Sequence, residues 1–390
     1  MESIEQPIID QPEIGILGFL VQRQDGCHRF LVQGKLEPGN IGGVQLSPTL
    51  QATLSNYSCV HGGKEPAFLQ WFVGNPTRRV IVDELQSEQG TRFLRKKNRN
   101  MVVEVPEGHT IDHDETFRWV GCAELAELLT GDNVLNTDAR SVLSCLPLEW
   151  LEADEQLRAD REATEFGRHL TVSARSLDVS LGSSVDRACA WFDEIKARYP
   201  VTSETIALEQ LADWSLYEDR LDQPDGAPFS VIQMHVETNC REVEMWDQPI
   251  VSSRGEGLIG FLCQRRAGVL HFLVQARAEA GLFDGIELTT TVQCDPGFDF
   301  RNGCRTNHQF LEFFDAPDPG MIRASVRQSE EGGRFFQDQN RYVVLEADES
   351  ESLTIPDNYC WMTLGQMKAM PRFNHFFTNE ARSLIACLML

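Results

Sequence analysis

Apolar residues fall along this chain in short runs rather than long helical stripes. GILGFLVQR (15–23) and CHRFLVQGKL (27–36) are rich in Val, Leu and Phe and are parted by Gln24-Asp25-Gly26. That pattern predicts a β-hairpin. Glu37-Pro38-Gly39-Asn40 follows as a turn. Val44 to Ser55 reads as a strand with Thr and Gln alternating against apolar residues, and Ala67–Val73, Arg79–Leu85 and Arg99–Val105 read as further strands. Cys122 to Thr130 is helical, with Leu125, Leu128 and Leu129 on one face, and Thr137 to Leu146 is a second helix. A mostly antiparallel sheet with helices packed against it is an α+β unit.

The whole pattern then occurs again. GFLVQRQDG from Gly18 returns as GFLCQRRAG from Gly260, and FLVQGKLEPG from Phe30 returns as FLVQARAEAG from Phe272, each 242 positions later. The same offset pairs Gly43-Val44-Gln45-Leu46 with Gly285-Ile286-Glu287-Leu288, and QSEQGTRF from Gln86 with QSEEGGRF from Gln328. It also pairs Ala139-Arg140-Ser141 with Ala381-Arg382-Ser383, and Cys145 with Cys387. One offset held over half the chain means a tandem duplication. We therefore expect a first repeat at 1–146, a helical connector at 147–204 and a second repeat at 205–390. Gln248-Pro249-Ile250 matches Gln6-Pro7-Ile8, yet the second copy carries further strand-like sequence upstream, including Trp214 and Phe229–Val236. The first repeat is thus expected to be shortened at its N-terminus. Within the connector, Glu152–Ala163 and Ser184–Arg198 have helical periodicity and high charge, and should pack on both copies.

Composition narrows the function classes. The chain has 390 residues and a net charge of −24, which argues against a generally basic nucleic-acid surface. An anionic substrate would need a local cluster of arginines set against the overall field. No apolar run approaches the length of a membrane span, and the N-terminal stretch lacks the pattern of a signal peptide. Eleven cysteines are scattered with no CxxC pair, which suits reduced thiols in a cytoplasm better than a disulfide framework or a zinc site. The Asn56-Tyr57-Ser58 sequon then carries no meaning.

Familiar short motifs are absent or out of context. Gly255-Glu256-Gly257-Leu258-Ile259-Gly260 satisfies GxGxxG but leads into a strand, whereas the dinucleotide fingerprint opens a helix. There is no GxxxxGK[ST], HExxH or GxSxG. Arg161–Gly167 faintly resembles the acidic helix of metal-dependent pyrophosphohydrolases but lacks its paired glutamates, and reads as a surface helix. The polar stretch from Glu37 to Gln51, with Asn56, Tyr57 and His61-Gly62-Gly63, suits either a lined pocket or turns beside a solvent-facing strand. Glu287, Thr289, Thr291 and Gln293 alternate, which would set all four on one sheet face. Near them in sequence lie His308, Arg323, Arg327, Glu330-Glu331-Gly332-Gly333-Arg334 and Tyr342. Arg140 and Arg382 each sit near a helix start, where a guanidinium could grip a pyrophosphate or simply form a salt bridge. Trp71 and Phe313 are equivalent aromatics, placed either to stack on a base or to fill a core.

Taken together, GFLVQ, EPGNIGGVQLSPTLQATLSNY and HGG in the first copy resemble the NDP-4-keto-6-deoxyhexose 2,3-dehydratases. So do Arg241-Glu242-Val243, Trp246 with Gln248-Pro249, FLVQARAEAG, TVQC, QSEEGGRF, NRY and EARSLIACL in the second. The resemblance spans essentially the whole chain. It implies duplicated domains of Nudix-hydrolase-like fold without the Nudix box, a homodimer, and a dTDP-sugar pocket in each half. It also implies elimination of water across C2 and C3 of dTDP-4-keto-6-deoxyglucose, in the making of deoxysugars for natural products, with no cofactor and no metal. The C4 ketone acidifies C3–H, and the C2 hydroxyl is β to the carbanion. Such a site needs a base for C3–H, a donor to the C4 oxygen and an acid for the leaving hydroxide. Tyr57, His61, His308 and Tyr342 are candidate donors or acids. Glu37, His61, Glu287, Glu330 and Glu331 are candidate bases. The second repeat is expected to turn over, with Glu287, His308, Tyr342 and Glu330 as its catalytic set. Gln45, Asn56, Tyr57, His61, Trp71, Arg140, Gln293, Arg323, Arg334 and Arg382 are the expected substrate contacts. Two other readings stay open, a dTDP-sugar-binding pseudoenzyme and a Nudix-like nucleotide-sugar hydrolase with carboxylate-bound Mg²⁺.

Overall fold

A computed structural model describes residues 5–24, 26–58, 64–178, 184–223, 228–238, 243–294, 309–370 and 376–389. The first repeat runs β1 (Gly15–Gln24), β2 (Cys27–Leu36), β3 (Val44–Ser47), β4 (Leu50–Ala52), α1 (Leu54–Tyr57), α2 (Leu69–Phe72), β5 (Arg79–Ser87), β6 (Lys97–Val105), β7 (Phe117–Gly121), α3 (Cys122–Leu129) and α4 (Thr137–Ser144). Next come helices α5 (Leu148–Glu152), α6 (Glu155–Glu162), α7 (Glu165–Arg175) and α8 (Val185–Arg198), then strands β8 (Ser215–Leu216), β9 (Arg220–Asp222), β10 (Phe229–Glu237) and β11 (Met245–Ser253). The elements that match the first repeat's then follow as β12 (Gly257–Arg266), β13 (Val269–Ala278), β14 (Ile286–Thr289), β15 (Val292–Cys294), α9 (Leu311–Asp315), β16 (Ile322–Ser329), β17 (Gln339–Ala347), β18 (Tyr359–Met362), α10 (Leu364–Ala369) and α11 (Asn379–Met389).

Each repeat forms one mixed sheet, ordered β3-β2-β1-β6-β5 and β14-β13-β12-β17-β16. The central pair β1–β6 is parallel and so is β12–β17, while their neighbours are antiparallel. Strands β8 to β11 make a separate four-stranded sheet, with Ile232 of β10 facing Ile250 of β11.

The duplication is visible at the level of single atoms. Gly39 N donates to Gly332 O at 2.8 Å, and Gly281 N, its counterpart, donates to Gly90 O at 2.8 Å. Such reciprocity is the mark of a pseudo-two-fold axis between the copies. A Cβ on Gly39 would land on the carbonyl of Phe335, and one on Gly281 on that of Phe93, so glycine is needed at both crossing points. Helices α4 and α11 meet across the axis. One apolar core runs through both repeats between the sheets, with Phe19, Val102, Val142 and Leu143 from one side and Phe261, Val344, Leu384 and Ile385 from the other. Leu157, Leu170, Phe192 and Ile195 of the connecting helices join it. Trp150 stacks on His28 at 3.8 Å in the first repeat, and Ser173 Oγ donates to Leu270 O at 2.6 Å in the second.

Two stretches depart from the sequence reading. Ala67–Val73 is no strand. Phe68 takes φ 65° and starts the short helix α2, which buries Leu69, Trp71 and Phe72. An apolar run this short has no period that separates helix from strand. The Phe72 ring lies directly on Gly18, and that of Phe314 on Gly260, which explains the glycine before each repeated Phe-Leu. Val44–Ser55 is also not one strand. It breaks at Pro48 into β3 and β4, and ends in α1.

Candidate active site

A cavity of about 660 Å³ opens on the first repeat's sheet, within the usual size of a small-ligand site. Its floor is Gly15 and Leu17 of β1, Lys35 at the end of β2, Gln51 and Ala52 of β4, and Asn98 of β6. Glu37 and Lys96 lie just beyond the strand ends, and Asp138 enters from the first turn of α4. The far wall comes from the second repeat as Glu331, Gly333 and Arg334. Met245, Trp246, Asp247 and Gln248 at the start of β11 form the roof. The site is therefore composite, and only the folded pair of repeats builds it.

Lys35 near the end of β2 and Glu37 just past it both line the cavity. Both are buried, and both are held through Gln51. Lys35 Nζ donates to Gln51 O at 2.8 Å, and Gln51 Nε2 donates to Glu37 Oε1 at 3.0 Å. Asn136 Nδ2 donates to Gln51 Oε1 at 2.9 Å, while Asn136 Oδ1 caps α4 by accepting from Ala139 N at 2.9 Å. A helix cap and a pocket carboxylate thus share one amide relay. In the roof, Trp246 Nε1 donates to Gln248 Oε1 at 2.7 Å, and Gln248 Nε2 donates to Gly333 O at 2.7 Å. Arg334 Nη2 donates to Gln11 Oε1 at 3.1 Å.

Four carboxyls line this space, Glu37, Asp138, Glu331 and, in the roof, Asp247. An atom placed at a Gly333 Cβ would sit 3.3 Å from Glu331 Oε1 and 3.4 Å from Glu37 Oε1, so the two carboxyls flank that glycine. Burial pushes Glu331 up to about 7 against the opposing pull of Arg334. Asp138 is held well above the usual carboxylate range, first by burial and then by Glu331, Glu88 and Glu37, with Lys35 opposing. The Lys96 ammonium is lowered by burial, partly offset by Glu88 and Glu331. Against a net charge of −24, the cavity gathers Lys35, Lys64, Lys96 and Arg334. The cations are mainly lysines rather than the arginine cluster expected.

Of the residues expected from sequence, Asn56 and Arg334 line this cavity, as do the candidate bases Glu37 and Glu331. Tyr57 lines a more open groove beside it, with Arg99 and Asp83. Others lie in the seam between the repeats. Glu287 accepts from Ser87 Oγ at 2.6 Å, and its counterpart Gln45 donates to Ser329 Oγ at 2.7 Å. Arg140 and Arg382 are 0% and 1% exposed. Arg140 bonds the carbonyls of Leu135 and Ser329, and Arg382 those of Phe377 and Ser87. These guanidiniums tie one repeat to the other and present no face to a phosphate. Glu330 accepts from Asn340 and Gln89, with Tyr342 Oη at 3.5 Å. Gln293 accepts from Thr289 Oγ1 and donates to Glu279 at 3.1 Å. Because β14 ends at Thr289 and β15 begins at Val292, the alternating polar run is two strands joined by a turn, all four residues buried. Trp71 sits in the outer core with its ring 5.2 Å from that of His109. Arg323 pairs with Glu346 at 2.6 Å on the surface. His61 and His308 lie outside the described residues.

Lys35, Lys96 and Asp138 escaped the sequence reading. A signal for the site was present in the repeat itself. QSEQGTRF and QSEEGGRF differ only at Gln89/Glu331 and Thr91/Gly333, and Glu331 and Gly333 both face the cavity.

A family model described as NDP-hexose 2,3-dehydratase matches residues 1–146 and 186–388. A dTDP-4-dehydro-6-deoxy-α-D-glucopyranose 2,3-dehydratase of Saccharopolyspora spinosa is 42% identical over 387 residues, covering 99% of this chain and 78% of the relative. Proteins of the same name from Amycolatopsis orientalis and Streptomyces violaceoruber are 38% and 39% identical, covering 98% of this chain and 75% and 82% of their own lengths. Among solved structures, the Caenorhabditis elegans Ap4A hydrolase matches 31% of this chain and 88% of its own at 13% identity with a TM-score of 0.21. At that score the likeness carries no argument, and the fold rests on the strand order above.

Proposed function

Because the chain belongs to the NDP-hexose 2,3-dehydratase family, we propose that it removes water across C2 and C3 of dTDP-4-keto-6-deoxyglucose, in the cavity on the first repeat's sheet. One observation carries the location. Glu331 enters that cavity as a carboxyl held near neutrality by burial. Its counterpart in the other half is Gln89, an amide that cannot take a proton and that donates instead to Glu330. This reading moves turnover from the second repeat's sheet to the first, with the base supplied by the second repeat.

Glu331 then abstracts the C3 proton, since a base poised near the working pH is the efficient one. Lys35 and Lys96, buried beside the carboxyls, supply positive charge for the C4 oxygen as the enolate forms. Arg334 and the exposed Lys64 are the cations for the diphosphate. Trp246 in the roof is an aromatic surface for the base. The C2–O bond breaks as the enolate collapses, and the resulting enol becomes a 3,4-diketo-2,6-dideoxy sugar. No electrons are gained or lost overall, so the chemistry needs no nicotinamide. A homodimer working in the cytoplasm, in the making of deoxysugars for natural products, accompanies this reading. Among the described residues, no helix is long and apolar enough to cross a membrane.

The test is incubation with dTDP-4-keto-6-deoxyglucose, a 3-ketoreductase and NADPH to trap the unstable product, followed by mass analysis. A trapped sugar lacking the C2 oxygen is expected. Intact substrate together with tight dTDP binding by calorimetry would make the chain a pseudoenzyme instead.

A further inference from the structure

We propose that Asp138 is the acid that protonates the departing C2 hydroxide, working opposite Glu331 in the same cavity. This deepens the dehydratase reading and rests on it.

Asp138 is the second residue of α4, projected into the cavity from the helix's first turn. It is 2% exposed, and among the described residues its Oδ1 has no hydrogen-bond partner. A buried oxygen left without a partner is costly and calls for one, whether a water, an ion, a ligand or a reacting group. The N-cap duty that a carboxylate here could perform is already taken by Asn136, so helix capping does not account for Asp138.

The groups facing Asp138 favour its protonated form. Glu331 comes from the second repeat's wall, Glu37 from the end of β2 and Glu88 from beyond β5, all of them carboxyls. Lys35 is the cation that opposes them. Near a helix N-terminus an acid ordinarily ionises more easily. Burial and three acidic neighbours reverse that tendency, and Asp138 stays well above the usual range. Asp138 and Glu331 thus meet in one cavity, both with raised proton affinity, and two such carboxyls can serve as acid and base in a single elimination. The balance is simple. The C3 proton passes to Glu331 and its electron pair becomes the C4 enolate. Collapse of the enolate breaks C2–O, and the leaving oxygen takes the Asp138 proton to depart as water.

The two roles separate in deuterium oxide. Wild type should both exchange C3–H for deuterium and eliminate. Asp138→Asn should keep C3 exchange within a few-fold while elimination falls at least about a hundredfold, because the base still works and the leaving group goes unprotonated. The retained exchange also shows that the variant is folded. Asp138→Glu matches the residue at the equivalent position 380 and should restore elimination at least tenfold over Asp138→Asn. Full elimination by Asp138→Asn would overturn the assignment. So would loss of exchange and elimination together in both variants, which would make Asp138 the base or a purely structural residue. A wild type that neither exchanges nor eliminates would sink the dehydratase reading itself.

Discussion

Thr137 donates its hydroxyl to Asn379 at 3.2 Å, and Asn379 is its own counterpart 242 positions later. The pseudo-two-fold axis therefore passes between these two side chains, at the starts of α4 and α11. Around the axis the seam is polar as well as apolar. Arg382 Nε also reaches Ser141 Oγ at 3.1 Å.

That placement makes the paired arginines structural. Removing a buried guanidinium takes a donor from one carbonyl on each side of the seam. Arg382→Met or Arg140→Met should cost about 2–5 kcal/mol, read by chemical denaturation, since a buried carbonyl that loses its donor costs about 1–3 kcal/mol. A change below about 1 kcal/mol would mean that the seam does not depend on them.

Glu287 supplies a pH dependence. Burial pushes it up to about 8 from an ordinary 4.5, with the Ser87 hydroxyl and Arg382 pulling the other way. A raised carboxyl favours the folded state fully below the unfolded pKa, and that stability is lost as pH rises through the folded one. Between about pH 5 and 8, wild type should lose stability relative to Glu287→Gln. Gln45 shows that an amide fits the mirror position. Melting curves across that window should converge at low pH and separate towards pH 8, with the variant the more stable. Turnover in Glu287→Gln should persist, since the side chain lies in the seam and not in the cavity. Parallel melting curves would contradict the first expectation, and lost turnover the second.

Gly333 tests the spacing of the carboxyls. A methyl there would sit 3.3 Å from Glu331 Oε1 and 3.4 Å from Glu37 Oε1, tight enough to move one of them. The backbone tolerates a side chain, because the equivalent position holds Thr91. Gly333→Ala should leave stability within about 0.5 kcal/mol. It should lower kcat at least tenfold, since small displacements of reacting groups are expensive. An unchanged kcat would mean that the placement of Glu331 does not set turnover.

Much of this architecture could be read from the residues. The 242-residue offset is stated outright by FLVQGKLEPG and FLVQARAEAG, and the hairpin follows from two Val- and Leu-rich runs parted by a Gly turn with φ 87° at Gly26. Helices α3, α4 and α8 follow from periodicity. What failed was local. Phe68–Phe72 is too short to show a period, and Pro48 cuts a strand whose alternation runs straight past it. The site was harder to read because its parts are far apart in sequence. Glu37, Asp138 and Glu331 meet only when the second repeat closes on the first, and nothing local to Asp138 in TDARSVLS marks it as a cavity residue. Arg140 and Arg382 misled for the opposite reason. A charged residue repeated in both copies suggests a ligand, yet a pseudo-symmetric seam repeats its own ties just as faithfully.

If elimination occurs in the first repeat's cavity with Glu331 as base, removing that carboxylate must suppress it. The experiment is the trapped-product assay on Glu331→Gln beside wild type, with dTDP affinity measured on both. Elimination should fall by about 10²–10⁴ while dTDP binding stays within a few-fold. Elimination at the wild-type rate, in a protein that binds dTDP normally, would place the chemistry elsewhere in the chain.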